Sequence, residues 1–329
     1  MRICSIITSF TSGGAEMLVC NLAEAFAGTG HDAAVLALSD AAQVGNAAQT
    51  EAMMMQRIRQ AGARASSLGQ ANRNNWIGGT LALRRALRSF RPDVIHAHTA
   101  RALPLVALAM PGVPVVLTHH NSRLSFPPAA FRFFDPIVDA YVAISDQCAA
   151  LLKGHVRKPV HRIENAANTR FRTAAARRKS AQDPTILAVG TVSEQKDYPT
   201  LAQAAHLAVR ALAAQGRTAR FSIAGGGPML DQLKAGIADA PVALLGARDD
   251  IDTLMRQADL FVNCSLWEGF PIALIEAAMS GLPIVATQVA GNREMVVPGV
   301  NGELVPPSDP ATLAQAIVGI VSDDDRYAA

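Results

Sequence analysis

The chain has 329 residues, 50 % hydrophobic and 17 % charged, with 24 glycines and 18 prolines. That make-up fits two globular domains of ordinary size and excludes a disordered or collagen-like chain. The net charge of +3 is unevenly spread: residues 1–165 carry 16 Lys and Arg against 10 Asp and Glu, and residues 184–329 carry 9 against 16. A basic half and an acidic half suggest different partners for each.

The opening "MRICSII" lacks a basic region ahead of a long apolar stretch, so it does not read as a signal peptide. No apolar run reaches the roughly 18 residues that a spanning helix needs. Cys4, Cys20, Cys148 and Cys264 show neither paired nor metal-ligand spacing and sit among apolar neighbours. They read as reduced core thiols of a cytoplasmic protein.

In chain order, "RICSII" predicts a strand, "AEMLVCNLAEAFAG" an amphipathic helix and "DAAVLAL" a second strand. The helical "GTLALRRALRSF" precedes strands at "PDVIHAH", "PVVLTHH" and "AYVAIS". Phe131, Phe134 and Val138 lie at core periodicity and predict a buried helix. The second half repeats the alternation with "TILAVG", a helix over 198–214, "RFSIAGGG", "VALLG", "DLFVNCS", "LPIVAT" and "GELVPP". Such alternation predicts parallel sheets built from βαβ units. The fold class is therefore α/β, with two doubly wound Rossmann-like domains facing across a cleft, 1–167 and 168–329, joined by the basic stretch "NAANTRFRTAAARRKSAQDP". Ligands of such sheets bind at the carboxyl ends of the strands.

Gly13 and Gly14 open the first helix, where backbone amides can approach an anion. Glycine turns at such corners are common without any ligand, and on spacing alone that reading is favoured over a phosphate site. The spacing is not the dinucleotide GxGxxG, and no acid ends the second strand, which disfavours a nicotinamide oxidoreductase. Gly225, Gly226 and Gly227 fit either a tight turn or ligand approach. "DDID" at 249–252 reads as a helix start, "DDD" at 323–325 as a solvated tail, and no Asp-x-Asp metal motif occurs.

"LWEGFPIALIEAAMSGLPIV", residues 266–285, places Glu268 just before a helix that Pro271 opens and Gly281 ends, with Glu276 inside it. The two acids are roughly 12 Å apart at most. That distance fits acceptance of hydrogen bonds from a sugar and a ribose on either side of a phosphate met by the amides of Gly269 and Phe270. It fits equally a Glu276 salt-bridged to Arg or Lys.

The stretch EGFPIALIEA resembles the Glu–seven–Glu signature of glycosyltransferase family four, retaining enzymes of the GT-B fold. "GGAEMLVCNLAEAFAGTGHDAAVLAL", "PDVIHAHTARA", "VVLTHHN", "RIENAANTRF", "AVGTVSEQKDYPTLAQAA" and "GNREMVVPGVNGELVPP" resemble that family in order and spacing across nearly the whole chain. The resemblance implies transfer of a sugar from a nucleotide-sugar donor, UDP-linked, to a saccharide or lipid-linked acceptor in cell-envelope synthesis. It implies that Glu276 holds the donor ribose, and that Glu268 with the backbone of Gly269, Phe270 and Pro271 holds the transferred sugar. Lys196 and the Gly13–Gly14 corner would meet the diphosphate, and Arg248 and Ile251 the nucleobase. His120 would lie beside the anomeric carbon, with His119 the next candidate because the histidine is doubled.

Two departures stand out. Thr191 occupies a position where the family commonly has arginine, and the chain stops at "DDDRYAA", where relatives continue through a helix crossing back to the first domain. The crossover helix is thus expected to be short or absent. In retaining transfer the leaving phosphate can take the acceptor's proton, so positioning and charge stabilisation suffice, and neither metal nor cofactor is expected. No nucleic-acid partner is implied. Arg84, Arg88 and Arg91, at helical spacing, read either as a solvated face or as contacts to anionic lipid at the inner membrane face. The alternatives to a transferase are a catalytically silent nucleotide-sugar-binding module and a sugar-nucleotide epimerase of the same fold.

Overall fold

Strands covered by helices on both faces must be apolar on both faces. The runs Arg2–Ile7 and Leu260–Asn263 meet that demand, with nearly every residue buried. The computed structural model describes residues 1–11, 13–44, 47–69, 75–109, 112–124, 126–172 and 183–323. Residues 173–182 of the expected linker and the acidic tail from 324 onward lie outside them. The chain forms two compact units, Met1–Asn165 and Ala166–Ala329. This division and the one read from the sequence both fall within 163–168, which carries neither helix nor strand.

The first unit runs β1 (Arg2–Ile7), α1 (Gly14–Gly28), β2 (Asp32–Ala37), α2 (Ala48–Gln60), β3 (Arg64–Ser67), α3 (Trp76–Phe90), β4 (Val94–Ala97), α4 (Leu103–Ala109), β5 (Val115–His119), α5 (Phe131–Phe134), β6 (Ala140–Ala143), α6 (Asp146–Lys153) and β7 (Val160–Arg162). Its strands form one parallel sheet in the order β3-β2-β1-β4-β5-β6-β7. The direction of winding reverses between β1 and β4. Local chemistry fixes the helix ends: the Asn75 side chain accepts from the Gly78 amide, and the Ser145 side chain from that of Cys148. The expected helix around Phe131 is a single turn, because Pro136 follows it and cannot extend an α-helix. Phe131 and Val138 are buried, whereas Phe133 is 75 % exposed.

The second unit runs β8 (Thr185–Val189), α7 (Tyr198–Ala213), β9 (Arg220–Ala224), α8 (Leu230–Gly236), β10 (Val242–Gly246), α9 (Ile251–Gln257), β11 (Leu260–Asn263), α10 (Ile272–Met279), β12 (Ile284–Thr287), α11 (Ala290–Arg293), β13 (Gly302–Val305) and α12 (Pro310–Ser322). Its parallel sheet has the order β10-β9-β8-β11-β12-β13 and reverses between β8 and β11. Leu313, Ile317 and Ile320 of α12 join the core formed with Leu201, Ala205 and Ala208 of α7. The four cysteines are free and buried.

Gly225, after β9, owes its identity to packing. A Cβ there would lie 1.9 Å from the Gly190 carbonyl oxygen, whereas one at Gly236 meets nothing within 4 Å. Gly225→Ala should therefore cost about 2–4 kcal/mol and lower the melting temperature by roughly 5–15 °C. Gly236→Ala should be neutral or slightly stabilising. Thermal unfolding of the two variants side by side checks the contrast, and equal melting temperatures would contradict it.

Candidate functional site

A reversal of strand order leaves a crevice at the carboxyl edge of a parallel sheet. In the second unit that crevice lies between the segment after β8 and the segment after β11, where Lys196 and Glu268 meet. Lys196 Nζ lies 2.5 Å from Glu268 Oε1. Glu268 is only 5 % exposed, so its oxygens must find donors within the protein. Oε1 also accepts from Ser265 Oγ at 2.6 Å and Asn263 Nδ2 at 3.4 Å, and Oε2 accepts from Gln195 Nε2 at 3.2 Å. Gln195 Nε2 donates in addition to the Trp267 carbonyl at 2.8 Å, and the Leu266 amide donates to the Gln195 carbonyl. The two segments are thereby stitched together.

A further buried network stands beneath. Asn263 Oδ1 accepts from the Ser265 amide and from Asn292 Nδ2, each at 3.2 Å. Asn292 Nδ2 also donates to the Thr287 carbonyl at 2.9 Å, and Thr287 Oγ1 donates to the Ser265 carbonyl at 2.6 Å. Strands β11 and β12 and helix α11 are thus tied to one carboxylate.

Pro271 is the extended residue capping α10, which leaves Gly269 and Phe270 immediately ahead of the helix. Gly291 of α11 packs so closely on Gly269 that a Cβ would come within 2.5 Å of its carbonyl oxygen. Glu276 is 7 % exposed, one turn into α10. Thr191 is half-buried in the same segment as Lys196, and its carbonyl accepts from Ser193 Oγ at 3.3 Å. Arg248 and Ile251 follow β10, two strands from β8. Arg248 forks onto Asp250 with bonds of 2.8 and 2.6 Å, which hold its guanidinium more basic than usual.

In the first unit the reversal brings together the segments after β1 and β4, and the His98 amide donates to the Ile6 carbonyl at 2.9 Å. Gly13 caps α1 in extended conformation with Gly14 as its first residue. Glu16, in that first turn, is pushed up to about 7 by burial, with its backbone hydrogen bond acting the other way. It therefore sheds much of its charge near neutrality.

His120, one residue past β5, shares a 2.9 Å hydrogen bond between its Nε2 and His98 Nδ1. His96 Nε2 bonds Thr118 Oγ1 at 2.7 Å, and the His96 ring lies 4.0 Å from that of His98. Strand alternation puts Thr118 and His120 on one side of β5 and His119 on the other. Burial pushes His96 down to about 4 and His120 to about 3, and drives His98 well below its ordinary value. Among the described residues His98 Nε2 and His120 Nδ1 are buried without a hydrogen-bond partner. No group of three or more His, Cys, Asp or Glu among them could hold a metal.

Lys196 and Glu268 are thus in contact, and Gln195 and Lys196, in the segment that carries Thr191, meet Leu266, Trp267 and Glu268, which lead into Gly269–Pro271. The sequence reading missed Gln195, Asn263, Ser265, Thr287 and Asn292, and missed His98 as the partner of His120. Buried asparagine at the end of the apolar run "LFVN", and two histidines in "HAH" at a strand end, were the available signals.

Comparison with known proteins agrees with this architecture. Residues 12–171 match the family model described as Glycosyltransferase Family 4, and residues 183–323 the model described as Glycosyl transferases group 1. The chain is 27 % identical over 351 residues to a glycogen synthase of Mycobacterium tuberculosis, covering 94 % of this chain and 83 % of that one. It is 27 % identical over 292 residues to alpha-D-kanosaminyltransferase of Streptomyces kanamyceticus, covering 76 % and 74 %. The crystal structure of Anabaena HepE in complex with UDP and glucose superposes with a TM-score of 0.80 at 21 % identity, over 100 % of this chain and 92 % of that one. The protein is a glycosyltransferase of the GT-B fold, with two Rossmann-like domains.

Two measurements check the geometry. A double-mutant cycle of Lys196→Met and Glu268→Gln, followed by urea unfolding, should give a coupling of about 1–3 kcal/mol. A coupling near zero would mean that solvent screens the pair. For the histidines, the unfolded chain takes up protons first as pH falls, because burial lowers the folded values. The histidine contribution to stability should be level above about pH 6.5 and then fall by about 1.4 kcal/mol per pH unit for each ring, while Glu16, raised to about 7, contributes with the opposite sign below that pH. The fall should continue toward the folded values of about 4 for His96 and about 3 for His120. Imidazole proton shifts of both rings should stay flat from about pH 8 to 5, and a midpoint above about 6 would contradict their burial.

Proposed function

We propose that the chain is a retaining, metal-independent glycosyltransferase that moves a hexosyl group from a UDP-sugar to a saccharide or lipid-linked acceptor in cell-envelope polysaccharide or glycolipid synthesis, at the cytoplasmic side. The observation that carries this reading is the Lys196–Glu268 pair at the strand reversal of the second sheet, beside the N-terminus of α10. Glu268 Oε1 already takes three donors, but Oε2 takes only Gln195 and keeps acceptor capacity for a sugar hydroxyl, while a lysine and helix amides beside it suit a diphosphate. Binding of the nucleotide-sugar would let Lys196 share its charge between Glu268 and the departing phosphate.

In this reading Glu276 accepts the ribose hydroxyls, and Gly269, Phe270 and Pro271 line the transferred sugar. Arg248 and Ile251 meet the base, while Gly13 and Gly14 approach the diphosphate. His120 stands at the anomeric carbon, its ring fixed by His98. A neutral imidazole there avoids opposing the positive charge that develops on the sugar in the transition state. Thr191 contributes a hydroxyl in place of a charge. Proteins of similar sequence or fold support the substrate class: HepE was crystallised with UDP-glucose. A 108-residue stretch is 33 % identical to an Escherichia coli UDP-Gal:alpha-D-GlcNAc-diphosphoundecaprenol alpha-1,3-galactosyltransferase.

Incubation of the full chain with a panel of UDP-sugars and saccharide or polyprenyl-linked acceptors, with NMR of the product, tests the proposal. UDP release with an unchanged anomeric configuration is expected. An inverted product would overturn the retaining assignment. Epimerised donor in the absence of acceptor, or binding without turnover across the panel, would overturn the transferase assignment for these substrates. Glu276→Ala should weaken UDP binding more than tenfold by calorimetry, since two hydrogen bonds to a charged group are lost at about 1.5–3 kcal/mol each. Unchanged affinity in the folded variant would remove Glu276 from the ribose site.

A further inference from the structure

Helix α3 has two faces of very different character. Gly79, Leu83, Leu87 and Phe90 are buried. Opposite them, at spacings of four, three, one and three residues, run Ile77, Leu81, Arg84, Arg85 and Arg88. Ile77 is 78 % exposed and Leu81 48 %, and Trp76, the first helical residue, is 50 % exposed. The three arginines are exposed, as is Arg91, the left-handed residue that ends the helix. The helix contains no acidic residue, and none of these four arginines forms an ion pair among the described residues. The exposed stripe is thus apolar in its first half and basic in its second.

The topology gives this stripe a direction. Helix α3 connects β3 to β4, which run parallel in one sheet, so it runs opposite to the strands. Its N-terminal end lies at the carboxyl edge, the edge that carries Gly13, His98 and His120. The apolar end therefore stands where the candidate site of this unit opens.

We propose that α3 docks the first unit on an anionic lipid surface, with Trp76, Ile77 and Leu81 entering the headgroup–acyl boundary and Arg84, Arg85 and Arg88 among the phosphates. Charge complementarity selects this occupant. An isologous contact with a second copy sets the same surface against itself, arginines among arginines with no acid to meet them. A nucleic acid would satisfy the arginines and leave Ile77 and Leu81 without a role. Interfacial helices combine apolar burial with basic side chains in this manner, and tryptophan is suited to the boundary layer. The inference deepens the proposed function and rests on its lipid-linked acceptor, whose headgroup would be presented to the edge where α3 begins.

The test is sedimentation of the full chain with vesicles of phosphatidylcholine alone and of phosphatidylcholine mixed with phosphatidylglycerol, in low and high salt. Binding to the anionic vesicles in low salt is expected, with a blue shift in tryptophan emission that Trp76→Phe abolishes. Arg85→Ala and Arg88→Ala should each lower the apparent affinity about fivefold, and Ile77→Ser/Leu81→Ser should lower it further while circular dichroism stays unchanged. Failure to bind anionic vesicles, or binding that ignores both sets of substitutions, overturns the proposal. So does a concentration-dependent dimer that Ile77→Ser/Leu81→Ser dissolves, which would identify a second copy as occupant. Duplex DNA bound more tightly than vesicles and indifferent to Ile77 and Leu81 would overturn it in favour of nucleic acid. UDP release from a UDP-sugar with a soluble acceptor is measured on the same variants and should not change. Loss of that activity in every form, with vesicle binding intact, would count against the proposed function and leave the docking surface standing.

Discussion

The carboxylate of Glu268 imposes a constraint on much of the second unit. Removed from water, it needs donors on both oxygens, and it obtains them from Lys196, Ser265, Asn263 and Gln195. Those donors come from the ends of β8 and β11 and the segments that follow, so the crevice between these strands has little freedom in shape. Asn263 is in turn held by Asn292, and Asn292 by Thr287, which carries the demand across β12 into α11. Removing one member of such a network leaves polar groups unpaired inside the protein, which costs far more than the lost bond itself. The arrangement is therefore held as a unit.

The two sheets share a design and differ in what they place at the reversal. In the second unit it is an ion pair, compact and charged. In the first it is a set of imidazoles that burial keeps neutral, His96, His98 and His120, linked by ring contact and by one hydrogen bond. With each ring neutral and the His98–His120 bond formed, the proton on one ring decides the tautomer of the other. Either His98 presents a donor at Nε2 and His120 an acceptor at Nδ1, or the reverse. Such a pair can exchange hydrogen-bond roles toward a ligand without changing its net charge. That behaviour is not available to Lys196 and Glu268.

Legibility in the sequence followed the range of the interactions. The strands with continuous apolar runs, β1, β5, β8 and β11, were readable because their burial on both faces is written in consecutive residues. The elements from α2 to β3 were not, since α2 buries only Thr50, Met54 and Ile58 while its other methionines, Met53 and Met55, blur the period, and β3 is four residues long. Glu268 and Lys196 were legible as members of a motif. Their contact was not, because 72 residues separate them and only the order of strands in the sheet brings them together. For the same reason Asn263, Thr287 and Asn292 passed as ordinary polar residues. At Arg248 the bonds run to Asp250 only two residues along, a short-range partner that the sequence reading did not name. At Phe131 a core-like period continued past Pro136, which the backbone could not follow.

The charge asymmetry takes its meaning from where the charges sit. Of the sixteen basic residues in 1–165, four are the arginines of α3 and its terminus. Without them the first half would hold twelve basic residues against ten acidic ones, close to balance. Its positive character is therefore local, gathered on one helix beside exposed Trp76, Ile77 and Leu81. The second half shows the complementary case. Most of its described carboxylates lie outside the core, and such groups are screened beyond about 10 Å at ordinary salt. Lys196 and the start of α10 act at contact distance in a buried setting, where screening is weak. An acidic domain can for that reason hold an anion, and a nearly balanced one can carry a strongly basic surface. Net charge describes neither site; the few groups within a Debye length of each do.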